Sequence, residues 1–313
     1  MRKHLYLFII LFLLLITSSC NNKETTTSVE KPIKEKREVY KNKMENNPDI
    51  IRYTEFLAED EYMIDKDSLE YKTDIQGNFK ANYTYTNKTE NLDLIDISIF
   101  IEGSGTPIHQ ENIKVEPNTS ETVNINIPNL VNGEHIAYII TQYDKVDFKE
   151  KYSDKDYFSP YYFKIKVGNN ENENTVKFEK TKEIKPLKIK KISAEEETYK
   201  IYISDKEGNK IRDVEKNNHN ELFLNIVNPT GYQITGYLYY YINGEYKNLE
   251  LNNEPTNNFV IEPLTKHIYK ITPETNKGFF RIFSTYIPPN SVKIENSNMA
   301  PRLIFSSPAY LIK

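Results

Sequence analysis

From about residue 68 the chain is built of short segments in which apolar and polar residues alternate. In Phe79-Lys80-Ala81-Asn82-Tyr83-Thr84-Tyr85 the odd positions are apolar or aromatic and the even positions polar. Ile95-Asp96-Ile97-Ser98-Ile99-Phe100-Ile101 and Val123-Asn124-Ile125-Asn126-Ile127 follow the same rule. Side chains along a strand point alternately to its two faces, so a period of two marks a half-buried strand. Many such strands, punctuated by Asn, Gly and Pro, predict an all-β sandwich or barrel. Upstream, Ile51, Phe56 and Leu57 give residues 49–65 a partly helical pattern, which predicts a short helix packed on the first sandwich.

The pattern occurs twice. Asn87 and Gly103 recur as Asn228 and Gly244, and Ile97, Ile99 and Ile101 as Leu238, Tyr240 and Ile242. Ala81, Tyr83 and Tyr85 match Leu222, Leu224 and Ile226, and Val115-Glu116-Pro117 matches Ile261-Glu262-Pro263. Val123 and Ile125 fall on Tyr269 and Ile271, and Gly133 to Thr141 on Gly278 to Tyr286. Ser159-Pro160-Tyr161-Tyr162-Phe163-Lys164, echoed by Ser307-Pro308-Ala309-Tyr310-Leu311-Ile312, completes the order and sets Tyr162 against Tyr310. Matches kept in one order indicate an internal duplication. The expected organisation is a signal peptide over 1–19, a tether over 20–47, and two β-sandwich domains over 48–172 and 173–313. The boundary is soft within 168–186, because Thr175-Val176-Lys177-Phe178 could add a strand. With about seven strands per copy, the repeats resemble immunoglobulin-like or fibronectin type III-like modules. Trp and a disulfide pair are absent, so the antibody-type hallmark is missing. Transthyretin-like sandwiches, as found in some surface fimbrial lipoproteins, are the alternative topology.

The N-terminus supplies an address. Arg2, Lys3 and His4 precede the apolar run Leu5–Ile16, and Thr17-Ser18-Ser19 lead to Cys20, the only cysteine. This is the layout of a secretory signal peptide. The run would reach about 18 Å as a helix, short of the about 30 Å hydrocarbon core. The Ser18-Ser19-Cys20 ending resembles the lipobox of bacterial lipoproteins. That resemblance implies cleavage before Cys20 and acyl chains on its sulfur; an ordinary cleaved signal is the alternative. Asn21 follows the cysteine, and by the same resemblance the outer membrane of a Gram-negative cell is favoured over the plasma membrane. Without another thiol, disulfides cannot staple the mature chain. Residues 21–47 are charged and poor in apolar groups, the composition of a flexible tether, with weak helical character over 34–44.

Charge narrows the partners. Removing residues 1–19 takes away Arg2 and Lys3 and moves the net charge from -4 to -6. That argues against nucleic acid and against clinging to anionic lipid by charge. Chemistry is sparse. His4, His109, His135, His219 and His267 are scattered, and no HExxH or G-x-S-x-G pattern occurs. Gly103-Ser104-Gly105 reads as a turn. No cofactor, metal site or catalytic residue is expected. The 143–160 loop carries Asp144, Asp147, Asp154 and Asp156, but interleaved lysines favour a solvated loop over a calcium site.

One surface stands out. If Leu238, Tyr240 and Ile242 face inward, Tyr237, Tyr239 and Tyr241 face outward, where the first copy has Asp96, Ser98 and Phe100. Tyrosine suits interfaces, so this trio is the candidate binding surface for a protein or glycan. Cross-strand packing, or contact with the first domain or with 48–65, is the alternative. The sequence thus predicts a lipid-anchored envelope protein displaying two modules for binding or adhesion. A structural subunit of an envelope assembly, or less so an accessory hydrolase, is the rival reading.

Overall fold

Alternation decides which side of each strand meets a core, and the pairing of strands decides how many cores form. The computed structural model describes residues 51–65, 70–143, 158–168, 184–193, 200–211, 221–273, 278–287, 303–308 and 310–312. Cys20, the tether, the four loop aspartates and 175–178 lie outside the described residues. The chain divides into residues 1–51 and one compact unit, Arg52–Lys313.

The first sandwich contains β1 (Arg52–Ala58), β2 (Met63–Asp65), β3 (Glu70–Lys72), β4 (Phe79–Asn87), β5 (Asp93–Ile101), β6 (His109–Val115), β7 (Thr119–Ile127), β8 (Gly133–Tyr143) and β9 (Phe158–Val167). One sheet has the order β1-β4-β7 and the other β2-β3-β9-β8-β5-β6. The second contains β10 (Lys188–Lys191), β11 (Lys200–Ser204), β12 (Leu222–Asn228), β13 (Ile234–Ile242), β14 (Glu245–Lys247), β15 (Leu249–Leu251), β16 (Glu254–Thr256), β17 (Asn258–Ile261), β18 (Thr265–Ile271), β19 (Gly278–Ile287), β20 (Leu303–Ser306) and β21 (Tyr310–Ile312). Its sheets are β11-β12-β18-β15-β16, with β10 also on β18, and β14-β13-β19-β20, with β17 on β13 and β21 on β19. In each copy a later strand pairs back onto an earlier long one, β6 onto β5 and β17, after β14–β16, onto β13. These are two immunoglobulin-like sandwiches in tandem.

The inward residues are those the alternation selects. Ala81, Tyr83, Tyr85, Ile97, Ile99 and Ile101 belong to one buried core, and Leu222, Leu224, Ile226, Leu238, Tyr240 and Ile242 to another. Segment 49–65 departs from expectation. Its described residues, 51–65, form β1, a short 3-10 turn and β2 instead of a helix. β1 pairs with β4 along its whole length, from Arg52 opposite Asn87 to Ala58 opposite Ala81. Phe56 then packs its ring 4.7 Å from Phe163 and 5.6 Å from Tyr71. Backbone pairing and aromatic burial outweigh a weak local period. The last repeat match also shifts. Tyr310 stands opposite Phe280 as Ile165 stands opposite His135, so it corresponds to Ile165 rather than to Tyr162.

The duplicated asparagines do the same work in each copy. Asn87 Nδ2 donates to the carbonyls of Asn91, Val115 and Glu116, while its Oδ1 accepts from the Thr89 amide and hydroxyl. Asn228 Nδ2 donates to Tyr232, Ile261 and Glu262, and its Oδ1 accepts from Thr230 in the same two ways. A primary amide has two donor hydrogens and one acceptor oxygen, enough to tie two turns together at a buried corner. Thr119 and Thr265 donate to the Glu116 and Glu262 carbonyls, completing the parallel. A second device is duplicated as well, outside the offsets of the other matches. Asp74–Asn78 and Asp205–Asn209 share an Asp-x-x-Gly-Asn turn, each Asp accepting from the Asn amide and side chain.

The parallel pair β3–β9 is fastened by charge. Glu70, 8% exposed, lies 2.6 Å from Lys164 Nζ and 2.9 Å from Lys166 Nζ. Burial works to raise the Glu70 carboxyl, but the two lysine hydrogen bonds outweigh it and hold it below the usual range. A lowered folded-state value stabilises above the unfolded carboxylate range and is lost as pH falls through the folded value. Glu70→Gln should therefore cost about 1.5–3 kcal/mol at neutral pH. Urea unfolding should show the gap between variant and wild type closing below about pH 4. A gap independent of pH would refute the ionic account.

Candidate functional site between the two sandwiches

The outward face of β13 carries Tyr237, Tyr239 and Tyr241, as the alternation requires, but it is not open. Tyr239 and Tyr241 are 1% and 0% exposed, and Tyr237 is half-buried. What covers Tyr239 is the outward face of the first sandwich. Phe100, Tyr138 and Ile140 from β5 and β8 form one buried cluster with Tyr239 and Phe283, flanked by Phe158, Tyr162, Tyr237 and Tyr246. Tyr239 stacks on Phe283 at 4.7 Å and meets Phe100 edge-on at 4.6 Å. Tyr246 lies edge-on to Phe100 at 4.8 Å and to Tyr241 at 4.9 Å. The expectation of a platform for an outside partner is thus corrected at Tyr239 and Tyr241: their aromatic area is already used within the chain. The unit consists of four stacked sheets, with β1-β4-β7 and the β10–β12 and β18 sheet outermost.

Beside the aromatic cluster runs a polar chain. Arg281, 1% exposed on β19, donates from Nη1 to Gln142 Oε1 at 3.2 Å. Gln142 Nε2 donates to the Tyr246 hydroxyl at 3.0 Å, which in turn donates to Asp96 Oδ1 at 3.5 Å. Asp96, itself fully buried, also accepts from Ser98 Oγ at 2.6 Å and from Gln110 Nε2 at 2.5 Å. Gln110 crosses again to the Gly244 carbonyl at 2.9 Å, and Asn257 to the Gly103 carbonyl at 3.3 Å. A buried cation and a buried anion are so joined through two neutral groups that each donate and accept.

Burial sets the electrostatics here. It pushes the Arg281 guanidinium down from 12.5 to about 9. Burial, and then the Asp96 charge, raise Tyr246 well above 10; burial, and then Glu102, do the same to Tyr239. The Arg281 plane also lies 5.4 Å from the Phe158 ring, which places it against β9 of the other sandwich.

Among the described residues the histidines do not converge. His135 and His267 are buried on strands β8 and β18. His135 Nε2 meets the Val131 carbonyl at 2.8 Å, and His267 sits between Glu262 and the Tyr269 hydroxyl. Among the described residues no group of three or more His, Cys, Asp or Glu could hold a metal ion. Gly103-Ser104-Gly105 forms the β5–β6 turn, with Ser104 donating to the Ile101 carbonyl.

No protein-family model matches the chain, and no curated protein matches it. Among solved structures, a beta-glucosidase from Listeria innocua is similar over 38% of this chain and 16% of its own, at 11% identity and TM-score 0.23. Red sea bream transglutaminase is similar over 93% of this chain and 34% of its own, at 7% identity and TM-score 0.24. The chain therefore spans at most about a third of these proteins' length.

Proposed function

We propose that this chain is a lipid-anchored cell-envelope protein that presents two immunoglobulin-like modules as one stiff head for binding. The observation that carries the stiffness is the joint: an aromatic cluster and a buried polar chain span it, and modules that swing freely would expose both. The anchor is read from Leu5–Ile16 and Ser18-Ser19-Cys20, whose pattern matches a lipoprotein signal. Several acyl chains would be needed for stable attachment, at about 0.8 kcal/mol per buried CH₂. The outer membrane is the proposed address. A protein or glycan ligand then meets the outer sheets or the loops, since the β13 tyrosines are engaged internally.

The anchor is tested with Cys20→Ser in the full chain. Wild type should incorporate a labelled fatty acid and fractionate with membranes, while the variant loses the label and leaves the membrane fraction. Retention of the label by the variant would place the lipid elsewhere and defeat the reading. Protease shaving of intact cells followed by pull-down identifies exposure and partner together.

A further inference from the structure

The two outermost sheet faces are not alike. On the first, β4 and β7 present hydroxyls paired across the strands, Thr84 with Thr122 at 2.9 Å and Thr86 with Ser120 at 2.8 Å. On the second, Lys190, Lys266, Val227 and Lys200 form one row across β10, β18, β12 and β11. Lys188, Ile268, Asn225 and Tyr202 form the next row. Lys210 bridges to Ser204 on the same edge. Residues paired across strands share a face, and strands lie about 4.8 Å apart, so the row is about 14 Å wide. Three ammonium groups converge on the Tyr202 ring: Lys210 at 4.8 Å, Lys200 at 5.9 Å and Lys266 at 5.9 Å. Lys266 also donates to the Tyr202 hydroxyl at 3.2 Å.

Such crowding works against the protein itself. Lys200 is held below its usual value by burial, then by the charges of Lys210 and Lys266. Among the described residues, Lys188, Lys190 and Lys210 meet no carboxylate, whereas Lys270 on the same face is matched by Glu221 at 2.7 Å. Neighbouring charges such as Lys190 and Lys266, on paired strands about 4.8 Å apart, lie within about one Debye length, ~8 Å at physiological salt, and act together on an approaching anion.

We infer that the lysine face of β10, β11 and β18, centred on Tyr202, is a docking surface for an anionic lipid bilayer. The inference rests on the proposed Cys20 anchor, which confines the head near a membrane. Read as the proposed tether, the 27 residues from 21 to 47 would reach about 30 Å, enough for the head to lie against the surface. The face lies on an outermost sheet and is opposite in sign to anionic phospholipid headgroups, whatever the net charge of the whole chain. Each lysine near an anionic membrane strengthens binding about fivefold.

The test uses the full chain with Cys20→Ser and vesicles of phosphatidylcholine, alone or with 30% phosphatidylglycerol. Binding should appear only with the anionic vesicles and vanish in 0.5 M salt. Lys188→Gln/Lys190→Gln/Lys210→Gln should weaken it on the order of a hundredfold, without a change in melting temperature; the three Arg replacements should retain it. Equal binding to both vesicle types, or full binding by the Gln variant, overturns the proposal. Retention on dextran sulfate without vesicle binding overturns it in favour of an acidic polysaccharide. Vesicle binding that appears only after Glu195→Gln/Glu196→Gln/Glu197→Gln also overturns it, by making the chain's own acidic segment the occupant. Acyl groups on wild-type Cys20, read by mass, report separately on the anchor.

Discussion

Tyr239→Ala should destabilise the protein by about 3–5 kcal/mol, the range for removing a buried aromatic side chain. Over a unit of this size that lowers the melting temperature by about 6–20 °C. The number separates two roles cleanly. A tyrosine on an open binding face would move stability by no more than about 0.5 kcal/mol. Tyr239 is 1% exposed and touches Phe100 and Phe283, so the larger value applies. The loss falls on the joint, because the two sandwich cores contain neither Tyr239 nor Phe100. Phe100→Asp, which forces a charge into the same cluster, should split calorimetric unfolding into two transitions, one for each module. A single, barely shifted transition in both variants would contradict a stabilising joint.

Asp96→Leu should cost about 3–5 kcal/mol, the expense of leaving a buried charge without its counterpart. Asp96 and Arg281 communicate through Gln142 and Tyr246, not by direct contact, so the prediction concerns the chain as a whole. Arg281→Met removes a cation that burial already disfavours. The double variant Asp96→Leu/Arg281→Met should recover part of the loss, since apolar replacement of a buried pair is often near neutral. A double-mutant cycle from urea unfolding should return a coupling of about 0.5–3 kcal/mol. Additivity within about 0.3–0.5 kcal/mol would mean that the polar chain transmits nothing between its ends.

Tyr239 and Asp96 both face away from their own cores, where alternation alone names no partner. The inward sets of β4, β5, β12 and β13 were legible because burial on one face imposes a period of two on the residues themselves. Asn87 and Asn228 were legible as a repeat, although their hydrogen bonds were not, because an amide's partners come from turns distant in the chain. The β1 strand was misread as helix: three apolar residues in a short window carry little periodic information, and pairing with β4 decided the outcome. The Asp-x-x-Gly-Asn turns were present in the sequence as three matching residues within five, at an offset of 131 rather than the 141–148 of the other repeats.

What the sequence determined by itself was local and one-sided: strands, their inward faces and the presence of two copies. Alternation says that Tyr239 and Asp96 point away from their own cores, but not what they point at. Only the stacking of one sandwich on the other made those outward faces an interior, and only then did Asp96 and Arg281 become ends of one buried chain. Composition likewise sums charge over the whole molecule and returns a mildly acidic value. Sheet register, which brings Lys190, Lys266 and Lys200 into one row from separate parts of the chain, decides where the positive charge gathers.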